Sequence, residues 1–284
     1  MNWKKLLVKK TIVGRLPFAD NLRKRKRKIF GYLPDAENMK LTIKNYERIK
    51  DALDKSGAGI EGATILEIGS GWFPTIPILL ARDGAKKVFM SDLNIHMDDI
   101  TFRETVAYLK RHFPSDDYIQ KITNFSSLPI EYLAPLNASN IRDKSIDVVT
   151  SNTVLEHIPR SDIYSLFLSL RPKVSDSGLM VHLIDHSDHF EHFDKSISRV
   201  EFLTWSEEKH ALINYLIKDG ENRMRHHEYH RVFRDSGFEV INEEVDLDEK
   251  TLEVVKTLDL VYPYSKMLPE QLAVLTSIYS LKPA

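Results

Sequence analysis

The sequence has 284 residues, with 40 Lys and Arg against 41 Asp and Glu, 42% apolar residues and no cysteine. This is the composition of an ordinary globular protein, long enough for one large α/β domain with additions or for two small domains. The lack of cysteine excludes disulfides, cysteine-ligated zinc or iron–sulfur centres, and any mechanism with a thiolate nucleophile.

The first 28 residues are strongly basic. They hold eleven Lys and Arg, six of them consecutive at 23–28, and one acid, Asp20, so their net charge is +10 and that of the remainder is −11. Interleaved apolar residues favour an amphipathic segment at an anionic surface, and a solvated, unstructured arm is the alternative. The segment lacks the apolar run of a secretory signal, and the longest uncharged stretch, 68–81, is shorter than the ~18 residues of a membrane span. We therefore expect a cytoplasmic protein, with membrane-peripheral contact of residues 1–28 as an open question.

Beyond the arm, the chain alternates between helical and strand patterns. Short β-branched runs between amphipathic stretches predict a parallel sheet covered by helices on both faces. The predicted helices are 36–56, 75–82, 98–112, 163–170 and 227–235, and the predicted strands are 64–68, 87–90, 130–134, 146–150, 179–184, 238–245 and 273–281. The sequence thus predicts a doubly wound, seven-stranded, mostly parallel α/β domain over 61–284, preceded by a basic arm and helix over 1–60.

The first strand runs into a glycine turn. Gly69, Ser70 and Gly71 follow the strand directly, and Pro74 opens the next helix. A turn of this kind lies at the carboxyl edge of the sheet, where glycines let the backbone approach a ligand and where doubly wound folds bind nucleotides.

Two acidic residues indicate what kind of ligand binds at this turn. Asp92 ends the second strand, where a carboxylate can accept both ribose hydroxyls of an adenosine, and Glu67 precedes the first glycine. A nicotinamide dinucleotide is disfavoured, because Pro74 replaces the third glycine of its motif and because the Glu67 carboxylate repels a pyrophosphate. A cationic amino-acid ligand suits that carboxylate better.

Four motifs in order resemble the class I S-adenosylmethionine-dependent methyltransferases over residues 60–284. Leu-Glu-Ile-Gly-Ser-Gly at 66–71 is similar to the first motif of that family, and Ser-Asp-Leu at 91–93 to the end of its second strand. Leu-Asn-Ala at 136–138 follows the third strand, with Asn137 in place of the usual acid. The segment 145–159 resembles the fourth strand and its loop. The resemblance implies a Rossmann-like methyltransferase fold and S-adenosyl-L-methionine (SAM) as cofactor.

The same resemblance implies roles for individual residues. It implies that the methionine part of SAM is contacted by Glu67, Gly69, Ser70 and Gly71. It implies that the ribose and adenine are contacted by Asp92 and Leu93, and the adenine edge by Asn137 and Ala138. The sulfonium is implied to lie near the backbone of Asn152.

Histidines near the same edge are candidate general bases, because their reference pKa is close to neutral. His157 lies just past the fourth strand, and holding its loop by hydrogen bonding is its alternative role. Glu156 either orients it or caps a helix.

A histidine-rich segment follows the fifth strand. We predict that residues 185–226 form an inserted lid over the acceptor site, in which His186 and His189 are further candidate bases and Asp185 and Asp188 bind acceptor hydroxyls. The spacing of these residues matches no defined zinc pattern, so no metal site is expected.

Two arginines close the predicted lid. Related-looking bacterial methyltransferases have an Asn-Arg-x-Arg segment, which here is 222–225. We predict that Arg223 and Arg225 bind an acidic acceptor or sugar phosphate, with surface salt bridges as the alternative.

The absence of particular motifs from the sequence narrows the class of methyl acceptor. No Asn-Pro-Pro-Tyr sequence follows the fourth strand, and no thiolate is present for carbon-5 methylation of pyrimidines, which argues against DNA. The arm lacks an aromatic series for stacking on RNA, so nucleic acid is disfavoured. We expect in-line O-methylation of a sugar, polysaccharide precursor or other polyhydroxylated small molecule with a histidine base. The alternatives are an RNA methyltransferase that uses the arm and a non-catalytic binding module, and the oligomeric state stays open.

Overall fold

The computed structural model describes residues 2–15, 36–217 and 220–284. Its helices are α1 (Trp3–Arg15), α2 (Ala36–Lys55), α3 (Thr75–Arg82), α4 (Asp99–His112), α5 (Asp117–Lys121), α6 (Arg160–Leu170), α7 (Glu207–Ile217), α8 (His226–Asp235), α9 (Glu249–Val255) and α10 (Pro269–Ala273). Its strands are β1 (Thr64–Ile68), β2 (Lys87–Ser91), β3 (Ile130–Leu133), β4 (Ile146–Asn152), β5 (Val174–Asp185), β6 (Phe238–Leu247) and β7 (Val274–Pro283).

Seven strands form one sheet in the order β3-β2-β1-β4-β5-β7-β6. The strands from β3 to β5 pair in parallel, whereas β7 runs antiparallel to both β5 and β6. The predicted doubly wound, mostly parallel fold is therefore confirmed.

Element bounds agree closely with the prediction except at β5. This strand begins at Val174 rather than at 179, because Val174 pairs with Ile146 before a register shift in the β4–β5 ladder. The residues at 175–178 are polar and glycine-containing, so no apolar alternation in the sequence marks them as a strand. The helices α1, α5, α7, α9 and α10 were also not predicted.

Both faces of the central strands are buried. Successive residues of a strand point to opposite faces, and in β1 the neighbours Ile65 and Leu66 are both fully buried, in two different apolar clusters. Helices α2, α3 and α4 cover the Ile65 face, and α6 and α8 cover the Leu66 face. The core thus holds the strands rigidly and leaves their carboxyl ends for chemistry.

Helix α2 belongs to this core. Its buried Tyr46 donates a hydrogen bond to Oδ2 of Asp83 over 2.8 Å and lies 3.2 Å from the carbonyl of Leu79. Apolar residues of α2 pack in the same cluster as β1, so the predicted boundary at residue 60 falls within one packed unit.

Helix α1 packs against the segment after β5. Trp3 stacks on Trp205 with ring centroids 5.3 Å apart and contacts Phe190 at 5.5 Å. The N–H of Trp3 donates to Oδ2 of Asp194 over 2.8 Å, and the Leu6 side chain is buried in the same apolar cluster. The described part of the basic segment is therefore an amphipathic helix, whose buried side faces the protein itself.

The consecutive basic residues at 23–28 lie outside the described residues, so the predicted surface contact of the arm stays a prediction. None of the described helices is long and apolar enough to span a lipid bilayer.

The docking of α1 is testable by substitution on its two sides. Trp3→Ala should lower the free energy of unfolding by about 1–3 kcal/mol, because it removes a largely packed aromatic side chain. The matched control is Ile12→Ala, since Ile12 lies on the same helix and is 58% exposed. Urea denaturation measures both variants. An equal loss of stability in the two would contradict the packing of α1.

Candidate active site

The turn after β1 requires glycine at two positions. Gly69 and Gly71 have positive φ angles of +71° and +66°, values that other residues rarely adopt without strain. A Cβ atom at Gly69 would lie 2.5 Å from Cγ2 of Val154, whereas one at Gly71 would meet no described atom within 4 Å. The first glycine lets the turn pack on the loop after β4, and the second leaves open space above the turn.

Hydrogen bonds join this turn to the end of β2. The N–H of Ser70 donates to the carbonyl of Ser91 over 2.9 Å, and the N–H of Gly71 donates to Oδ2 of Asp92 over 3.0 Å. Oδ1 of Asp92 accepts the N–H of Leu93 over 2.7 Å. Because a carboxylate oxygen has more than one lone pair, Asp92 is held in place and can still accept a ligand hydroxyl.

Apolar side chains lie beside this carboxylate. Leu93 is 76% exposed and Ile95 is 67% exposed, so together they leave an apolar surface of the kind that lines nucleotide sites. Asn137, across from them, uses its side-chain oxygen within its own turn, where it accepts the N–H and the hydroxyl of Ser139 over 3.0 and 2.8 Å. Asn137, for which the resemblance implies contact with the adenine edge, thus has its side-chain oxygen already engaged, and Ala138 is half-buried beside it.

A cleft of about 220 Å³ opens beside the glycine turn. Glu67 lines it and is buried, and it accepts a hydrogen bond from the hydroxyl of Ser70. Burial raises the pKa of Glu67 to about 8, and the charge of Asp92 adds to the shift, while the Ser70 hydroxyl lowers it. Side chains of α2, Met39 and Thr42, form the opposite wall. A cationic group in this cleft would compensate the buried carboxylate.

Asn152 ends β4 at the rim of the same cleft. Its Oδ1 accepts a hydrogen bond from Nδ2 of Asn45 on α2 over 2.9 Å. The next residue, Thr153, has a φ of +51°, which is strained for a β-branched side chain. The chain therefore bends sharply where β4 ends and exposes its backbone to the cleft.

These residues fit the cofactor that the sequence implies. Glu67 can hold an ammonium group, Asp92 can accept ribose hydroxyls, and Leu93 offers an apolar surface for adenine. The open space over Gly71 lies between them, where a Cβ would meet nothing.

Beyond β4 and β5, two loops bring together histidines and carboxylates. His157 and His189 lie with ring centroids 4.9 Å apart. Nδ1 of His189 is 3.3 Å from Oε1 of Glu221, and its Nε2 is 3.7 Å from Oδ2 of Asp185. Glu156 completes this group, which we call the histidine–carboxylate cluster: Glu156, His157, Asp185, His189 and Glu221. It lies past the carboxyl ends of the strands, as does the glycine turn.

The protonation of the cluster follows from burial and pairing. Burial lowers the pKa of His189, but its hydrogen bond with Asp185 and the charge of Glu221 outweigh burial and raise it to about 9. Burial opposes ionisation of Asp185, yet hydrogen bonds from His189 and Ser187 hold its pKa below the usual range. Burial raises the pKa of Glu221 to about 8, and that of Glu156 well above its usual range. At neutral pH His189 is therefore a cationic donor paired with Asp185.

Two predicted site residues after β5 lie in the interior instead. His186 is 3% exposed, and its ring nitrogens are 3.1 Å from the carbonyl of Met224 and 2.7 Å from the hydroxyl of Ser277. Asp188 is fully buried and accepts the N–H groups of Phe190 and Phe202 over 2.9 and 3.0 Å. Both side chains are satisfied within the protein, so our prediction that they meet the acceptor is not supported by their positions.

The two predicted acceptor-binding arginines are also interior. Arg225 is fully buried and donates to the carbonyls of His186, Leu272 and Val274. Arg223 donates to the carbonyls of Phe202 and Trp205 and pairs with Glu207 at 2.5 Å. Both guanidinium groups donate to backbone carbonyls, which does not fit an acceptor clamp. Arg223 also forms an ion pair with Glu207, whose side chain is exposed, so the salt-bridge alternative applies in part to Arg223.

Sequence reasoning missed two residues that build the cluster. The sequence assigned no role to Asn222. Its Nδ2 donates to the carbonyls of Leu155 and Ile158, and its N–H donates to the carbonyl of Glu156 over 2.7 Å. Glu221 holds His189. The only sign of these two residues in the sequence is that they directly precede the arginines at 223 and 225. The fold is needed to place the segment 221–222 against the loop after β4.

Comparisons with known proteins agree with this geometry. A family model described as a methyltransferase domain matches residues 37–243. Geranyl diphosphate C-methyltransferase from Streptomyces coelicolor A3(2), solved with Mg²⁺, geranyl diphosphate and S-adenosyl-L-homocysteine, has a TM-score of 0.51 at 13% identity, over 86% of this chain and 80% of that chain. Magnesium protoporphyrin IX methyltransferase from Synechocystis PCC 6803, solved with bound S-adenosyl-L-homocysteine, has a TM-score of 0.51 at 13% identity, over 97% of this chain and 100% of that chain. No curated protein matches the chain.

At these identities the structural matches show the fold, and the family match shows the membership. The family model covers most of the chain and includes every motif from the glycine turn to β6. The chain therefore belongs to the methyltransferase domain family and is a class I SAM-dependent methyltransferase, an enzyme whose cofactor is S-adenosyl-L-methionine.

Proposed function

We propose that this enzyme transfers the methyl group of SAM to a hydroxyl of a sugar, polysaccharide precursor or other polyhydroxylated small molecule. The observation that carries the proposal is the histidine–carboxylate cluster at the carboxyl edge of the sheet. Carboxylates and imidazoles accept hydrogen bonds from hydroxyl groups, and several of them close together suit an acceptor that carries several hydroxyls.

On the cofactor side, SAM supplies a methyl group on a cationic sulfonium. Glu67 binds its ammonium in the cleft, and the turn at Gly69, Ser70 and Gly71 follows its methionine part. Asp92 and Leu93 hold the ribose and adenine. The backbone at Asn152 faces the sulfonium, and Asn137 and Ala138 border the adenine through their backbone.

On the acceptor side, His157 is the proton acceptor. Its Nδ1 lies 3.1 Å from the carbonyl of Gly220, which requires an N–H at that position. The neutral ring therefore has its lone pair on Nε2, and the side chain is exposed to an incoming acceptor. His189, a cation held by Asp185 and Glu221, places a positive charge beside the acceptor oxygen and stabilises the negative charge that develops there as the proton leaves.

The composition of the cluster also favours a neutral acceptor over a phosphorylated one. None of its five members is an arginine or a lysine, and the arginines that we expected to bind a phosphate are buried among loop carbonyls. The RNA alternative rests on the basic run at 23–28, and the described part of the chain adds nothing to it.

The proposed role of Glu67 predicts that Glu67→Gln loses both affinity for SAM and the proton release that accompanies SAM binding. The variant should bind SAM about 10–100-fold more weakly, because it loses a charge-assisted hydrogen bond. Since the pKa of free Glu67 is about 8, the wild type should release close to one proton when it binds the cation at pH 7. Calorimetry in two buffers of different ionisation enthalpy measures both quantities, with the exposed Glu61→Gln as control. Equal proton release by the wild type and Glu67→Gln would exclude this role.

The acceptor class predicts the chemistry of the product. SAM with a labelled methyl group is incubated with the enzyme and with separate neutral-polyol, phosphorylated and RNA fractions of a host extract. The label should enter the neutral hydroxylated fraction as a methyl ether, which resists alkaline hydrolysis, whereas a methyl ester releases methanol. Label found only in RNA or only in alkali-labile esters overturns the proposal.

The base assignment predicts a separation of binding from turnover. His157→Ala should lower kcat by about 10²–10⁴-fold, the usual contribution of a general base, and leave SAM affinity unchanged. The control is His112→Ala, since this exposed histidine ends α4 at the opposite edge of the sheet. If His157→Ala retains wild-type kcat, His157 is not the proton acceptor.

A further inference from the structure

Glu156 is a buried carboxylate whose oxygens have no hydrogen-bond partner among the described residues. Its side chain is 3% exposed, and neither carboxylate oxygen makes a hydrogen bond of standard geometry with the described residues. Buried polar groups in folded proteins are nearly always satisfied, and a buried carboxylate without partners is costly. Glu156 is also held in place, because Asn222 donates to its backbone carbonyl. The carboxylate is thus fixed in a position where the described residues offer it no hydrogen bond of standard geometry.

Two histidines complete a ligand set around this carboxylate. Glu156, His157 and His189 each offer one ligand atom, and these atoms all lie within 4.8 Å of one another. Two imidazoles and one carboxylate are the donors that divalent transition metals prefer, whereas Mg²⁺ and Ca²⁺ prefer oxygen donors alone. The set therefore has both the composition and the proximity of a metal site.

The groups behind the histidines have the arrangement of a metal-supporting shell. Metal-binding histidines usually donate their second N–H to a carbonyl or carboxylate, which fixes the ring and the tautomer. Nδ1 of His157 faces the carbonyl of Gly220 at 3.1 Å, and Nδ1 of His189 faces Oε1 of Glu221 at 3.3 Å. Nε2 of His189 faces Oδ2 of Asp185 at 3.7 Å, so this carboxylate lies beside the proposed site.

We infer that Glu156, His157 and His189 form a binding site for a divalent transition-metal ion such as Zn²⁺, Mn²⁺ or Fe²⁺. Sequence spacing gave no sign of it, because two ligands come from the loop after β4 and the third from the loop after β5. The adjacent Asp185 can serve as a fourth ligand, and the exposed side of His157 leaves room for an oxygen ligand from outside.

The site deepens the proposed function, on which this consequence rests. With an ion bound, an acceptor hydroxyl would fill the open position, its oxygen would bond to the ion, and its O–H bond would break with loss of the proton to water on the exposed side. The C–S bond of SAM then breaks as the O–CH₃ bond forms, and S-adenosyl-L-homocysteine is the product. In this case His157 is a ligand of the ion and not the proton acceptor, and the His189 cation releases its proton when it binds the ion.

The test is Co²⁺ binding by the full chain after treatment with a chelator. The wild type should bind one Co²⁺, with visible absorption bands that report nitrogen ligands. His157→Ala and Glu156→Gln should each weaken Co²⁺ binding by at least about 10-fold, the range seen even for supporting residues of metal sites. His157 is exposed, so its variant should fold even if Glu156→Gln does not, and SAM affinity reports folding.

A matched control comes from another histidine–carboxylate group. Nε2 of His230 is 2.9 Å from Oε2 of Glu243, so this pair already satisfies itself. His230→Gln should therefore bind Co²⁺ as the wild type does. The absence of saturable Co²⁺ binding, or equal binding by the wild type and His157→Ala, overturns the metal site.

The metal site and the proposed function fail in different ways. A protein that binds Co²⁺ through these residues but methylates no polyhydroxylated acceptor overturns the acceptor class and supports the site. Methylation of such an acceptor at the full rate in excess chelator supports the acceptor class and overturns the role of the ion in the reaction, and loss of Co²⁺ binding overturns the site itself.

Discussion

The burial of the central strands on both faces is the constraint from which the site follows. β1, β4 and β5 are covered by helices on each side, so a charged group within them would lose its hydration. The buried pair formed by Ser151 and His182 at 2.8 Å is neutral, since burial lowers the pKa of His182 to about 3. Glu67, next to the last residue of β1, and Asp185, the last residue of β5, lie instead at the carboxyl ends. Parallel pairing brings these ends to one edge.

The edge that results is acidic, which suits a cationic cofactor. Burial raises the pKa of Glu67, Glu156 and Glu221, so each carboxylate gains from a nearby positive charge. SAM carries a sulfonium that becomes a neutral thioether after methyl transfer. The ammonium group is common to cofactor and product, so its proposed partner Glu67 favours both, and only carboxylates that face the sulfonium distinguish the two.

Much of the fold and the cofactor half of the site follow from local sequence. β1, the glycine turn and Asp92 lie within one strand–turn–helix–strand stretch, whose apolar runs and glycines carry their own signal. The acceptor half of the site does not follow from local sequence, since His157, His189 and Glu221 come from three separate segments. Composition marked 185–226 as polar, but not which polar residues turn inward. His186 and Asp188 are adjacent in sequence to Asp185 and His189, yet they point into the core and satisfy backbone groups there. The helix α1 was ambiguous because its partner surface, with Trp205 and Phe190, is distant in sequence.

The buried arginines explain how such separate segments keep a common geometry. Arg225 joins the carbonyl of His186, just after β5, to those of Leu272 in α10 and Val274 at the start of β7. Burial lowers its pKa to about 10, so the guanidinium remains charged at neutral pH, and three carbonyl dipoles compensate that charge. Arg223 does the same for the carbonyls at Phe202 and Trp205. Because Asn222 precedes both and bonds to the loop of His157, the stretch 222–225 connects the two loops of the cluster. The arginines therefore act on the acceptor site by positioning it and not by touching the acceptor.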